Sequence, residues 1–99
     1  MSAYLLEGAT ANTTGKETLI RVVGTREPPA KMSLQVAVTG TATVLIEGKI
    51  DKAAPWAAVH PEFTASAISY IEPIQYLRAV TTNMAPSSSV SVWAAWGWF

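Results

Sequence analysis

Apolar residues recur at every second position along much of this sequence, and that period restricts the chain to β-structure. Apolar side chains alternate with small or polar ones over residues 32–38, 41–50 and 90–98. A period of two puts alternate side chains on opposite faces of a strand, whereas a surface helix repeats its apolar positions with a period of about 3.6. The sequence therefore predicts half-buried β-strands and no long helix.

Turn-forming residues divide the rest of the chain into further strands. Strands are predicted over residues 18–23, 68–71 and 74–82, and the inward face of the last of these stays open. The strands on either side of Thr39 and Gly40 are predicted to pair as a hairpin. Strand runs at about ten-residue spacing predict an all-β fold, a small antiparallel β-sandwich or jelly-roll-like domain of about six to eight strands.

The composition indicates a single small domain that associates with other subunits. The chain has 99 residues and no cysteine, so neither a disulfide nor a thiolate ligand is available. Charged residues make up 14% of the chain and hydrophobic residues 49%, which is more apolar surface than a core of this size can hide. We therefore expect a homo-oligomer, a trimer or a dimer, that buries the surplus.

The charge distribution argues against nucleic acid and membranes as partners. Seven basic residues balance seven acidic ones and are scattered along the chain, so no cationic patch is predicted. The first residues lack the basic and apolar regions of a signal peptide, and no apolar run approaches the length of a membrane span. We expect a protein that is made in the cytoplasm and not secreted by a signal peptide.

Both ends of the chain carry candidate partner contacts. Residues 1–15 show no period, which predicts an extended N-terminal arm or linker ahead of one β-sandwich domain over residues 16–99. The last strand places aromatic residues on both of its faces, and its own sandwich can cover only one of them. Burial against a partner is therefore expected for the apolar residues of the arm and the tail: Tyr4, Leu5, Leu6, Trp93, Trp96, Trp98 and Phe99.

No catalytic or metal-binding site can be drawn from the sequence, and we expect neither enzyme activity nor a cofactor. His60 is the single histidine, and local spacing brings no carboxylate pair or further ligands together. Residues 87–89 are serines without the context of a nucleophile elbow. They are predicted to form a turn.

Arg78 lies in the middle of an otherwise apolar strand. Its guanidinium must therefore reach solvent or form a hydrogen-bonded ion pair. Two possibilities stay open: an ion pair inside the domain with Asp51 or Glu47, or a contact with a partner. Trp56, which follows the strand over residues 41–50, is predicted to fill the core.

Residues 39–51, with the sequence TGTATVLIEGKID, resemble a module that recurs in virion proteins of tailed bacteriophages. The later strand YLRAV, residues 76–80, resembles a strand of the same module. The fixed points of the resemblance are Gly48, Asp51, Trp56 and Arg78. The resemblance implies a β-sandwich virion component that is assembled in the host cytoplasm and contacts the major capsid protein or other virion proteins.

Three functions follow as expectations. The first is a capsid decoration or cement protein that binds and stabilises the assembled head shell. The second is a head-to-tail connector, tail or fibre-base subunit, which the sequence does not distinguish from decoration. The third belongs to another class, a carbohydrate-binding module in which Trp93, Trp96 and Trp98 form a platform for sugar rings.

Overall fold

Eight β-strands and no helix make up the part of the chain that the structure describes. The structure is a computed structural model, and it describes residues 2–20 and 31–97. No helix long and apolar enough to cross a membrane occurs among these residues. The strands in chain order are β1 (Ser2–Ala9), β2 (Thr18–Leu19), β3 (Lys31–Thr39), β4 (Thr43–Lys49), β5 (Ala57–Ala58), β6 (Ala67–Ile71), β7 (Tyr76–Thr82) and β8 (Ser89–Gly97).

The strands form two four-stranded antiparallel sheets, which confirms the predicted β-sandwich. Sheet A has the order β1-β8-β3-β6, and sheet B has the order β2-β7-β4-β5. The first strand thus pairs with the last, the second with the seventh, the third with the sixth and the fourth with the fifth. This nested pairing is the topology of an eight-stranded jelly roll.

The core lies between the two sheets, and on β3, β4 and β8 it consists of alternate residues, as a period of two requires. On β7, whose inward face the sequence left open, Leu77, Ala79 and Thr81 point inward. Ile50, the last apolar residue of the alternation over residues 41–50, is exposed because β4 ends at Lys49. The core residues of β3, β4 and β8 are Met32, Leu34, Val36, Val44, Ile46, Val90, Val92, Ala94 and Trp96.

The predicted hairpin between residues 32–38 and 41–50 is wrong. β3 pairs with β6 and β8 in sheet A, whereas β4 pairs with β5 and β7 in sheet B. The chain crosses between the sheets at Gly40, which has a φ of 83° and leaves no room for a side chain beside Ser88. The Thr41 amide donates a hydrogen bond to the Ser88 hydroxyl at this crossing, at 2.9 Å. Alternation shows which face of a strand is buried but not which strand lies beside it.

The predicted N-terminal arm is part of the domain itself. β1 pairs with β8 along its length, and Leu5 and Leu6 are only 1% and 8% exposed. Register shifts between Tyr4 and Leu6, and again between Leu6 and Ala9, let two consecutive leucines face the core. These irregularities erase the period of two, which is why the sequence showed no strand here.

The segment after β1 is also tied to the domain. The Gly15 amide donates to the Ala79 carbonyl at 2.7 Å, and the Thr81 amide donates to the Thr13 carbonyl at 2.8 Å. Of the strand predicted over residues 18–23, Thr18–Leu19 is a short strand and Ile20 is buried. The rest of that prediction and the double-proline loop lie outside the described residues.

Candidate partner-binding face

The outer face of sheet B carries charged residues that pair with one another. Arg78 lies opposite Glu47 on neighbouring strands, and its Nε donates to the Glu47 Oε1 at 2.7 Å. Of the two possibilities that the sequence left open, the structure shows the ion pair inside the domain, with Glu47 as the partner. Asp51, the other candidate, instead accepts a hydrogen bond from the Ala53 amide at 2.8 Å and holds the turn after β4.

Trp56 lies on this outer face and not in the core, which corrects the prediction that it fills the core. It is half-buried between two cations, with the Arg78 guanidinium carbon and the Lys49 Nζ each 4.4 Å from the ring centroid. The negative face of an aromatic ring attracts such cations. The sequence spacing of Trp56 gave no sign of this arrangement, because the cations come from two other strands.

Glu17 completes the charged face by joining two lysines. Its carboxylate oxygens lie 2.9 Å from the Lys49 Nζ and 2.6 Å from the Lys52 Nζ. Hydrogen bonds from Lys52 and Lys49 hold the pKa of Glu17 below its usual value, and the hydrogen bond to Glu17 raises the pKa of Lys52. Each of these charged side chains therefore has a partner of opposite charge within the domain.

The residues that fix the resemblance to virion proteins have local structural roles in this cluster. Gly48 faces the core, and a Cβ there would lie 2.8 Å from Ile74 Cγ2 and 3.0 Å from Val59 Cγ1. Asp51 holds the turn, and Trp56 packs against Arg78. These residues thus contribute to the structure of sheet B and of the turn after β4.

Replacing Trp56 with leucine is expected to lower the free energy of unfolding by about 1–3 kcal/mol, because two cation–π contacts are lost. Trp56→Phe is the matched control, since it keeps a ring between the two cations and should lose less. Denaturant unfolding followed by circular dichroism measures both variants. Equal losses for the two variants would show that the volume of the side chain matters and that its π-system does not.

The central part of the outer face of sheet A has the opposite character. Paired residues form two rows across its four strands, and none of these side chains is charged. We call this surface the neutral face. Its rows are Tyr4, Trp93, Gln35 and Ile68, and beside them Ser2, Ala95, Ser33 and Tyr70.

A shallow depression in the neutral face lies between Trp93 and Ile68. Tyr4 and Trp93 lie on adjacent strands with their ring centroids 5.1 Å apart and their planes tilted by 40°. Tyr4 is 40% exposed and Trp93 is half-buried, while Ile68 and Tyr70 across the sheet are 69% and 80% exposed. The depression between them measures about 410 Å³, and small side chains such as Ser33 and Ala95 line it.

The residues that were predicted to contact a partner lie in different environments in the structure. Tyr4 and Trp93 lie on the neutral face, where a partner could cover them. Leu5, Leu6 and Trp96 belong to the core of their own domain, so their assignment to a partner interface is corrected. Trp98 and Phe99, the remaining two, lie outside the described residues.

Sequence reasoning missed Ile68, Tyr70 and Gln35 as members of this surface. The two apolar residues were taken only as markers of a strand, although their even spacing put them on one face. Whether Ile68 and Tyr70 point into the core or out of it depends on how β6 pairs with β3. The sequence alone does not give that pairing, so it gave no reason to place the two residues on the outer face.

Polar residues that were weighed for chemistry have structural partners. His60 lies beside β6, where its Nε2 is 2.8 Å from the Ser69 hydroxyl and its ring stacks on Phe63 at 4.5 Å. Ser88 holds the crossing at Gly40 through its hydroxyl. Within residues 2–20 and 31–97, no group of three or more histidine, cysteine or acidic residues is placed to hold a metal ion.

The chain matches no protein-family model, no curated protein and no solved structure. The contrast between the charged, internally paired face and the neutral face therefore carries the functional argument.

Proposed function

We propose that this chain is a structural subunit of a tailed-bacteriophage virion that decorates the head shell and binds shell proteins through the neutral face. Its role would be to add buried interface to the assembled shell and so to stabilise it. A connector or tail subunit would use the same face and differ only in its place on the particle.

The fold and the local sequence both support this proposal. Jelly rolls occur in viral capsid proteins, although also in lectins and cupins, so the fold alone does not decide the function. The virion-like motif favours a capsid protein among these classes, and two of its fixed points, Trp56 and Arg78, contact each other on sheet B.

The neutral face is the single observation that carries the proposal. Interfaces concentrate aromatic residues in a centre that lacks charge, and hot spots are most often Trp, Tyr or Arg. Trp93 and Tyr4 meet this description, whereas the Arg and Lys residues of sheet B already have partners within the domain. A shell protein that docks on sheet A would not have to break any ion pair among the described residues.

Replacing Trp93 with alanine is expected to weaken binding to expanded capsids about tenfold or more, which corresponds to about 1.4 kcal/mol. The stability of the isolated subunit should fall by only about 1 kcal/mol, which is the usual worth of an aromatic pair. Co-sedimentation of the purified subunit with capsids measures binding, and thermal unfolding measures stability. Ile50→Ala, which removes an exposed side chain beyond the end of β4, is the control and should bind normally.

Two results would contradict the proposal. One is that the wild-type protein does not bind expanded capsids and is not found in virions by mass spectrometry. The other is that Trp93→Ala and the Ile50→Ala control bind equally well, which would place the interface elsewhere. Copy number per particle then separates decoration from a connector, because a decoration protein covers the whole shell.

A glycan ligand is the second candidate, on a different surface from the one expected. The three tryptophans cannot form the expected platform for sugar rings, because Trp96 is buried in the core. The depression of the neutral face, however, combines the Trp93 ring with the Gln35 amide and the Ser33 hydroxyl. Tryptophan fluorescence titration with oligosaccharides tests this candidate, and a response that Trp93→Ala removes would favour it over shell binding.

A further inference from the structure

The four edges of the two sheets are not equally protected against pairing with another chain. β2 and β5, the edges of sheet B, are each two residues long. β1, one edge of sheet A, has two register irregularities and a glycine with a φ of 59° at position 8. Short length and bulges are the means by which proteins usually prevent edge strands from pairing.

β6, the other edge of sheet A, has none of these features. Its five residues pair with β3 in an unbroken register from Ala67 to Ile71. It contains no charged residue and no proline, and its outward side chains, Ile68 and Tyr70, are 69% and 80% exposed. An exposed, regular and uncharged edge strand is a template for a further strand.

We propose that two copies of this chain join through β6, which pairs with the β6 of the second copy in an antiparallel arrangement around a two-fold axis at Ser69. The inference concerns the free protein and does not depend on the proposed binding to a shell. A two-fold interface uses the same patch on both subunits, so the strand must be complementary to itself.

The sequence of β6 meets that condition in this register. Pairing around Ser69 places Ile68 opposite Tyr70 of the second copy, and Tyr70 opposite Ile68 of the second copy. Aromatic and β-branched residues are favourable cross-strand neighbours. Glu72, the nearest charged residue that follows the strand, falls opposite Ser66 of the second copy, so no like charges meet.

Such a dimer would unite the two neutral faces. Sheet A of each copy has four strands, and edge pairing makes them one continuous sheet of eight. The exposed Ile68 and Tyr70 of both copies then lie at its centre, where each covers part of the other. The lack of charge, the register and the exposure of this edge are therefore all compatible with pairing to a second copy of the chain.

Substitutions of opposite charge at positions 68 and 70, which face each other across the two-fold axis, test the proposal. Sedimentation equilibrium should find a dimer of the wild-type protein at high micromolar concentration. Ile68→Lys and Tyr70→Glu, each alone, should weaken that dimer about tenfold, because each buries a charge beside an apolar residue. An equimolar mixture of the two variants should regain dimers, since Lys at position 68 then faces Glu at position 70. Ile50→Lys is the matched control, equally exposed but away from the edge, and should dimerise like the wild type.

Three results would overturn the proposal: a wild-type monomer at all concentrations, equal weakening by Ile50→Lys, or no recovery in the mixture. Circular dichroism confirms that the variants keep the fold. Hydrogen exchange of the unsubstituted protein gives a measurement that needs no variant, because amides of residues 67–71 should exchange more slowly as the concentration rises. Exchange that does not depend on concentration contradicts the dimer.

Discussion

Deleting residues 1–12 is expected to unfold the domain. The deletion removes β1 and with it Leu5 and Leu6, both of which belong to the core. Truncating one such leucine to alanine costs about 2–5 kcal/mol, and a whole domain is stable by only about 5–15 kcal/mol. The loss also uncovers β8, which becomes an unprotected edge strand. We therefore expect no cooperative thermal transition in the truncated protein.

Two single substitutions show which part of the arm matters. Leu5→Ala should lower the free energy of unfolding by about 2–5 kcal/mol, since this side chain is fully buried. Tyr4→Ala changes the neighbouring, exposed residue and should cost about 1 kcal/mol, the usual worth of its pair with Trp93. A truncated protein that unfolds cooperatively, with the melting temperature of the full chain, would restore the view that this segment is a detachable arm.

The sequence predicted the strands better than their arrangement. The period of two located β3, β4 and β8, and on β3 and β4 it also gave the buried face, because core positions on one strand are separated by two residues whatever lies beside it. It did not reveal that β3 and β4 belong to different sheets, since pairing depends on residues distant along the chain. β1 was not predicted as a strand because its irregular register puts Leu5 and Leu6, which are consecutive residues, on the same side.

The candidate site was predictable only in part for a related reason. An arginine in an apolar strand requires a partner, and an ion pair of Arg78 within the domain, which the structure shows, was one of the two possibilities that this requirement left open. The two faces of β8 were also correctly separated, with Trp93 on one and Trp96 on the other. The inward face of a strand is the one that packs against the opposite sheet. The aromatic residues of the tail lie on both faces of β8, so they did not show which face that is. Val90, Val92 and Ala94 share the side of Trp96 and were the better indicators.

Replacing Trp96 with alanine should lower the free energy of unfolding by about 3–5 kcal/mol, a loss that approaches the whole stability of a small domain. The side chain is 4% exposed within its own domain, so its removal leaves a cavity between the sheets. Trp93→Ala, only three residues away on the outer face, should cost about 1 kcal/mol and serves as the matched control. Denaturant unfolding of both variants measures the difference.

The effects on capsid binding should be in the opposite order, compared among variants that fold. Trp93→Ala should lower capsid binding, while the more conservative Trp96→Phe should leave capsid binding unchanged. If Trp93→Ala proved as destabilising as Trp96→Ala, Trp93 would be a core residue and the neutral face would lose its central anchor.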